Sequence, residues 1–186
     1  MTADVPKPPT IRPARAEDVA LLLELFGELA EYEHLEHELK ATEEQLLEAL
    51  FGARPAAEAL VAERPSSSGS PEALGYALFF PTFSSFLAST GVWLEDLFVR
   101  PSNRGEGVGR ALLGAVAARV RERGGERLEW AALDWNDLAL GFYRRIGAQT
   151  MGEWITHRLD GEALASVAGE GVVAGDGMNP PTEERR

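Results

Sequence analysis

Cysteine is absent from all 186 residues of the chain. Its absence excludes a disulfide framework, a thiolate metal site and a cysteine nucleophile, so any covalent catalysis must use another residue. Long apolar runs are missing too, because no stretch approaches the ~20 residues that cross a bilayer. The first nine residues, Met1 to Pro9, also lack an apolar run. These absences predict a cytoplasmic protein without a membrane partner.

Basic residues are scarce as well, with 18 lysines and arginines against 30 acidic residues and a formal net charge of -12. This charge repels phosphate backbones and anionic membranes and mildly favours cationic ligands, so no nucleic acid partner is expected. Hydrophobic residues make up 45% of the chain and charged residues 26%, which is a usual globular mix. A chain of this length predicts one domain with a full hydrophobic core.

Apolar spacing and turn residues divide the chain into helices and strands. Apolar residues three and four positions apart predict a helix around 19–30, and Thr42 with Gln45 can form a capping box that starts a second helix before Gly52. Two more helices are predicted at 107–123 and 136–146, and Asn136 can cap the second of them, with Gly147 as its stop. Strands bounded by turn residues are predicted at 10–14, 59–62, 74–80, 91–99, 127–133 and 154–159.

These elements predict a single domain over residues 11–164. Within it, the stretch 91–133 predicts a strand, a loop, a helix and a second strand in succession. A flexible amino terminus at residues 1–10 precedes the domain. From Ala165 onward the sequence is rich in Gly, Pro, Glu and Arg, so residues 165–186 are expected to form a disordered tail.

A glycine-rich segment, Arg-Gly-Glu-Gly-Val-Gly at 104–109, lies between the longest predicted strand and the longest predicted helix. Glycine amides and a helix amino terminus would point at whatever lies above this loop. Glycines also let the backbone approach a ligand closely, and Arg104 or Arg110 adds positive charge. The segment therefore predicts an anion site.

Other glycine-rich loops differ from this one in spacing. A dinucleotide-binding loop has Gly-x-Gly-x-x-Gly, and Arg110 stands where its last glycine should fall. A Walker loop requires a Gly-Lys-Ser/Thr sequence that this segment lacks. A strand-to-helix turn without any ligand stays open as the structural alternative.

The loop resembles Arg-x-x-Gly-x-Gly/Ala, the acetyl-CoA signature of the GNAT superfamily of N-acetyltransferases. The blocks 29–33, 94–99 and 135–143 further resemble the spermidine/spermine (diamine) N-acetyltransferase family, and the resemblance covers residues 11–164. It implies an α/β (α+β) fold, the GNAT acyl-CoA N-acyltransferase fold, with a mixed, mostly antiparallel sheet flanked by helices. It also implies acetyl-CoA as acetyl donor, a small amine substrate, no metal and a homodimer.

The resemblance carries over to individual cofactor-binding residues. Backbone groups of Leu97, Phe98 and Val99 would pair with the pantetheine arm and the acetyl oxygen, and Asn136 and Tyr143 would also contact the coenzyme. The pyrophosphate would be bound by Arg104, Gly105, Glu106, Gly107, Val108, Gly109 and Arg110. Glu106 departs from expectation because it puts a negative charge in the loop, so its side chain is expected to point to solvent.

Two adjacent carboxylates, Glu95 and Asp96, interrupt an apolar strand. An amine of pKa ~10.4 must lose a proton before it attacks, and a carboxylate can accept that proton. The resemblance implies Glu95 as the base, directly or through water, and Asp96 as a substrate-side carboxylate. Burial against Trp93 and Leu97 would raise the pKa of Glu95. In the alternative, both carboxylates point to solvent or cap neighbouring amides.

The leaving thiolate has a pKa of ~8.5, and a tyrosine of pKa ~10 can protonate it at a cost of only ~2 kcal/mol. Tyr143 occupies the position of the family's acid, so the resemblance implies that it protonates the thiolate. Alternatively, Tyr143 is a core or surface tyrosine beside Phe142. The resemblance also implies direct attack in a ternary complex, which is consistent with the absence of a cysteine nucleophile.

Acidic residues crowd the end of the first predicted helix, either as a cation site or as a solvated face. They are Glu28, Glu31, Glu33, Glu36 and Glu38. Tyr32 and Glu33 resemble the family's polyamine-facing pair, so Tyr32, Glu33 and Glu36 are substrate candidates. His34 and His37 could begin a metal site, but no further ligand is evident. Glu153 resembles another substrate residue, one position out of register.

These residues predict an acetyltransferase of a small di- or polyamine or of a thialysine-like molecule. Two other functions stay open, namely acetylation of a protein amino terminus or lysine, and a non-catalytic acyl-CoA sensor. The presence of both Glu95 and Tyr143 argues against the sensor.

Overall fold

The computed structural model describes residues 8–66 and 69–170. These residues form two compact units, of which the first ends at Leu133 and the second begins at Asp134. The first unit contains β1 (Thr10–Pro13), α1 (Val19–Glu33), α2 (Glu43–Phe51), β2 (Glu58–Arg64), β3 (Glu72–Ser84), β4 (Ser89–Val99), α3 (Val108–Glu122) and β5 (Leu128–Glu129). The second contains α4 (Asp137–Arg145) and α5 (Gly161–Glu170).

The strands form a five-stranded sheet in the order β1-β2-β3-β4-β5. The first four strands pair antiparallel, whereas β5 lies parallel to β4. A parallel pair requires a crossover, and α3 supplies it between β4 and β5. The predicted fold, a mostly antiparallel mixed sheet flanked by helices, is confirmed.

Apolar side chains on one face of the sheet meet the two amino-terminal helices. Leu22 and Leu25 of α1 are fully buried in one cluster with Val61, Tyr76 and Phe98 of the sheet. The three sheet residues face the same side because they are cross-strand partners. This packing fixes the carboxyl end of α1 beside β3 and β4, where the acidic residues lie.

The next residue of β4, Val99, faces the other side of the sheet because neighbouring strand residues alternate. A Cβ atom added at Gly109 would lie 3.6 Å from Cγ2 of Val99, so the first turn of α3 passes close to β4. The α3 side chains Leu112 and Val116 are fully buried. The core of the first unit therefore holds the start of α3 next to the end of β4.

The predicted helix starts and stops are confirmed at two places. Thr42 and Gln45 form the capping box of α2, with hydrogen bonds of 3.3 and 3.1 Å. Asn136 caps α4 by accepting a hydrogen bond from the amide of Ala139 at 3.1 Å, and Gly147 follows with a φ of +88°.

Three predictions near the carboxyl end differ from the structure. The strand predicted at 127–133 is only Leu128–Glu129, and the strand predicted at 154–159 is wrong, since these residues are exposed and belong to neither helix nor strand. Residues 165–170, predicted as the start of a disordered tail, are the end of α5. Residues 1–7 and 171–186 of the predicted termini lie outside the described residues.

None of the helices in the described ranges has the length and hydropathy that crossing a bilayer requires.

Candidate active site

The glycine-rich loop follows β4 through a short 3₁₀ turn at Pro101–Asn103 and leads into α3. Gly105 and Gly107 have φ angles of +82° and +85°, in the left-handed region that glycine adopts without strain. A Cβ atom built at either glycine would meet no described atom within 4 Å. The loop therefore has the backbone conformation that the glycine spacing predicts, and one side of it is open.

The amino terminus of α3 presents backbone donors at this loop. The first bond within the helix runs from the amide of Ala111 to the carbonyl of Gly107 at 3.0 Å, so the amides of 108–110 precede the helical ladder. Gly107 is the N-cap residue and has no side chain that could accept from them. In a helix of 15 residues, these donors and the helix dipole favour an anion at this position. The arrangement fits the pyrophosphate of acetyl-CoA.

Arg104 joins the loop to two other elements. Its Nε donates a hydrogen bond of 3.0 Å to the carbonyl of Val99 at the end of β4. Its guanidinium carbon lies 4.4 Å from the centre of the Tyr32 ring on α1, which is cation–π distance. Two predicted site residues, Arg104 and Tyr32, are thus in contact, and this contact fixes the loop beside the last turn of α1.

Glu106 is an exposed residue, and its carboxylate also has a cationic partner. Its carboxylate accepts a hydrogen bond of 2.5 Å from Arg64 at the end of β2, and its side chain is 28% exposed. The positive charge of Arg64 explains why a carboxylate is tolerated in this loop, because a partly buried acid beside an anion site would be costly without a cation. Arg64 was not predicted as a site residue, since the two positions are 42 residues apart in sequence.

The strand β4 has one open edge next to the loop. On the side away from β3, β5 pairs with β4 only at Val92 and Trp93. Among the described strands none continues along this edge, so residues 97–99 have no strand partner there. Backbone groups on an unpaired edge can bond an extended ligand. This geometry suits the pairing with pantetheine that was predicted for Leu97, Phe98 and Val99.

A β-bulge lies at Glu95. Leu78 of β3 pairs with Asp96, but the next residue, Phe79, pairs with Leu94, so Glu95 is left without a partner. The bulge interrupts the alternation that would send two adjacent carboxylates to opposite faces. Both predicted acids are therefore located at a distortion of the sheet.

Asp96 is the more buried of the two acids, and it accepts a hydrogen bond of 3.0 Å from the hydroxyl of Tyr76. The pKa of Asp96 is raised to about 6, chiefly by burial, with the hydrogen bond from Tyr76 lowering it and the nearby charges of Glu95 and Glu33 adding to the rise. Tyr76 was not predicted as a site residue. The sequence placed it only within the strand predicted at 74–80.

Glu95 is exposed, so its predicted burial against Trp93 and Leu97 is wrong. Its carboxylate accepts a hydrogen bond of 2.8 Å from the indole Nε1 of Trp93. The neighbouring Asp96 has the desolvated environment that was expected for Glu95.

The acidic run at the end of α1 divides into residues with different roles. Glu28 accepts from Arg100, with the shortest distance 2.6 Å, and so clamps α1 to the end of β4. Glu33 is half-buried, and burial raises its pKa. Glu36 is exposed on a short 3₁₀ turn. Only Glu33 of these three acts on the Asp96 carboxylate.

Histidines 34 and 37 are both exposed. The described residues contain no group of three His, Cys, Asp or Glu side chains that could hold a metal ion.

The second unit contains three predicted site residues. Tyr143 lies in the last turn of α4, half-buried, with its ring centre 5.4 Å from that of Phe142. The side-chain oxygen of Asn136 caps the start of α4. Glu153 lies in an exposed turn.

The chain matches the model of the acetyltransferase (GNAT) family over residues 21–148. It is 37% identical to a thialysine N-epsilon-acetyltransferase of Bos taurus over 86% of this chain and 97% of that protein. It is 33% identical to an L-ornithine N5-acetyltransferase of Arabidopsis thaliana over 84% and 86%. A solved integron cassette protein from the mobile metagenome of V. cholerae is 26% identical, with a TM-score of 0.70 over 87% of this chain and 98% of that one. The chain belongs to the GNAT family and is an N-acetyltransferase that acts on amines.

Proposed function

We propose that the protein transfers an acetyl group from acetyl-CoA to a primary amine of a small molecule that carries a second positive charge. Di- and polyamines and thialysine-like molecules meet this description. The observation that carries the proposal is the pairing, on the first unit, of an anion-binding helix start with a cluster of carboxylates at the β4 bulge. The two relatives named above act on thialysine and on ornithine, and both of these molecules contain two amino groups.

In this proposal, the amides of 105–110 bind the pyrophosphate, with Arg110 adding positive charge. The open edge of β4 at Leu97, Phe98 and Val99 pairs with the pantetheine arm. Asn136 and Tyr143 contact the same molecule. Bound acetyl-CoA supplies the acetyl group as an activated thioester.

The proposed reaction is a direct transfer in a ternary complex. Glu95 accepts the proton of the ammonium group, directly or through water, and frees the lone pair. The bond between the amine nitrogen and the acetyl carbon then forms, and the carbon–sulfur bond breaks. Tyr143 donates a proton to the departing sulfur. The nitrogen loses a second proton as the amide forms, and this proton replaces the one that Tyr143 gave to sulfur. The proton on Glu95 passes to bulk water, so one proton is released for each acetyl group transferred.

The second positive charge of the substrate meets the acidic residues near the carboxyl end of α1. Asp96 and Glu33 are the desolvated carboxylates of this group, and a half-buried carboxylate attracts a cation more strongly than a solvated one. Tyr32 and Glu36 flank them, and Glu153 is a further predicted contact. A second positive charge on the amine is therefore expected to lower the Michaelis constant.

We also propose a homodimer. The second unit exposes large apolar side chains that a second copy could cover, including Trp154 at 75% and Ile155 at 78% exposure. Sedimentation of the purified protein tests this proposal, and a monomer at working concentration would contradict it. A cytoplasmic location stays a prediction from the sequence.

The function is tested by incubating purified protein with acetyl-CoA and a panel of amines and measuring release of free thiol. The panel contains diamines, polyamines, thialysine, ornithine, matched monoamines and peptides with a free amino terminus or lysine. Turnover should be fastest with the small dications. Preference for a peptide would contradict the proposed substrate class, and coenzyme binding without any turnover would indicate a sensor.

A further inference from the structure

Tyr76 is fully buried at the centre of the core of the first unit. Its ring packs against Phe26 at 5.0 Å and against Phe98 at 6.2 Å, measured between ring centres. A phenylalanine would satisfy both contacts. The hydroxyl is the unusual feature, because burying a hydroxyl costs free energy unless a hydrogen bond compensates for it. Its partner is the Asp96 carboxylate at 3.0 Å.

The surroundings of Asp96 are otherwise unfavourable to its charge. Three titratable groups act on it, namely Tyr76 from β3, Glu95 from β4 and Glu33 from α1. The two glutamates repel a negative charge, and burial disfavours it as well. The Tyr76 hydroxyl is the one group of the three that stabilises the carboxylate. Tyr76 stays protonated as a donor because burial and the neighbouring Asp96 raise its pKa well above the usual range.

We propose that Tyr76 is a positioning residue for the amine, whose hydroxyl holds Asp96 in its charged form and orients it toward the second positive charge of the substrate. This inference rests on the proposed function. The Tyr76 hydroxyl donates to Oδ2 of Asp96, and in this proposal Oδ1 receives the ammonium group. The aromatic packing on Phe26 and Phe98 keeps the hydroxyl in place, so the carboxylate does not need to be reoriented when the amine binds.

The arrangement makes amine capture depend on pH. Burial raises the pKa of Asp96 to about 6, so the group is largely neutral at pH 5 and largely charged at pH 7. A neutral Asp96 cannot balance the charge of an ammonium group. The Michaelis constant for a diamine should therefore fall as the pH rises from 5 to 7, with a smaller change for a monoamine of matched length.

Removing the hydroxyl changes this dependence in a defined direction. Tyr76→Phe keeps the ring contacts but removes the donor, so the pKa of Asp96 should rise. A hydrogen bond to a charged acceptor is strong enough to move that pKa by about one unit. The curve of Michaelis constant against pH should move to higher pH by the same amount. The value of kcat at high pH and the affinity for the coenzyme should stay close to those of the parent.

The experiment compares the parent, Tyr76→Phe, Asp96→Asn and the double variant between pH 5 and 9, with a diamine and a monoamine. Asp96→Asn should raise the diamine Michaelis constant and abolish its fall between pH 5 and 7, and adding Tyr76→Phe to it should change nothing further. An unshifted curve for Tyr76→Phe would overturn the inference, because the tyrosine would then only pack. The inference would also be overturned if Tyr76→Phe shifted the pH curve of the Asp96→Asn variant by the same amount.

A carbon-13 NMR titration of the carboxyl groups gives a readout that does not depend on turnover. One carboxyl signal should titrate near pH 6 in the parent and disappear in Asp96→Asn. In Tyr76→Phe, the midpoint of its titration should move to higher pH. If the parent shows this pattern but acetylates no dication, the proposed substrate is wrong and the Tyr76–Asp96 pairing stands. If the signal is unchanged in Tyr76→Phe while dications are acetylated, the inference alone fails. Calorimetry with coenzyme A confirms that each variant is folded.

Discussion

The two ends of the candidate site on the first unit are built in different ways. The anion end consists of adjacent residues, 104–110, and its donors are backbone amides at the start of α3. The amine end is assembled from side chains of three separate elements, Glu33 of α1, Tyr76 of β3 and Asp96 of β4. A site made of backbone is sensitive to added bulk or charge, whereas a site made of side chains is sensitive to loss of a single functional group. Substitutions at each end should therefore have different effects.

The largest effect is expected at the anion end. Gly107→Asp places a carboxylate where the open side of the loop and the α3 amides would receive the pyrophosphate. Affinity for coenzyme A should fall by about 100-fold or more, corresponding to about 2.7 kcal/mol. Isothermal titration calorimetry measures it.

Gly107→Asn is the matched control for that substitution. Asparagine and aspartate have similar size and both tolerate the left-handed φ of +85° better than other residues. The asparagine variant should lose about tenfold or less in affinity. Equal losses in the two variants would mean that bulk, and not charge, matters at this position, and unchanged affinity in a folded Gly107→Asp protein would remove the loop from coenzyme binding.

The next effect concerns the chemical step. Tyr143→Phe removes the proposed proton donor to sulfur, so kcat should fall by about 10- to 100-fold while affinity for coenzyme A changes little. Glu95→Gln should lower kcat and weaken the acidic limb of the plot of kcat against pH. Stopped-flow or steady-state kinetics across pH measure both. If Asp96→Asn instead abolishes that limb and Glu95→Gln leaves it in place, the two acids exchange their proposed roles.

The same contrast explains what the sequence could predict. The loop was predictable because its glycines, its charges and the following helix are contiguous, so local spacing carries the information. Tyr76 was not, because its partner Asp96 lies 20 residues away and only the register of β3 and β4 brings them together. The sequence predicted burial for Glu95, but Asp96 is the more buried of the two acids. The reason is similar, since the bulge at Glu95 depends on strand pairing and not on composition.

Long-range pairing also explains the errors in the fold. Residues 154–159 have the composition of a strand, but a strand forms only beside a partner, and these residues have none among the described strands. Capping at Thr42 and Asn136 was predicted correctly because a cap involves residues three positions apart.

A smaller effect is expected for the ion pair between Arg64 and Glu106 at the anion end. Arg64→Gln leaves Glu106 without its cation, and one uncompensated charge at about 8 Å costs about 1 kcal/mol at an effective dielectric of about 40. Affinity for coenzyme A should fall by about fivefold, more at low salt than at high salt. Calorimetry at two ionic strengths measures it. The double variant Arg64→Gln/Glu106→Gln should regain most of the affinity, and failure to regain it would show that Arg64 acts on the coenzyme by itself.

The smallest effect separates the acids at the amine end. Glu33 is half-buried and its pKa is raised by burial, whereas Glu36 is exposed on a 3₁₀ turn. Charge–charge interactions in water are weak and screened, so Glu36→Gln should change the Michaelis constant for a diamine by less than about twofold. Glu33→Gln removes a desolvated charge beside Asp96 and should raise it by about fivefold, with little change for a matched monoamine. Steady-state kinetics with both amines at low and high salt measure the difference. Equal losses for diamine and monoamine would show that these glutamates only solvate the end of α1, and the second positive charge would then have to be recognised elsewhere.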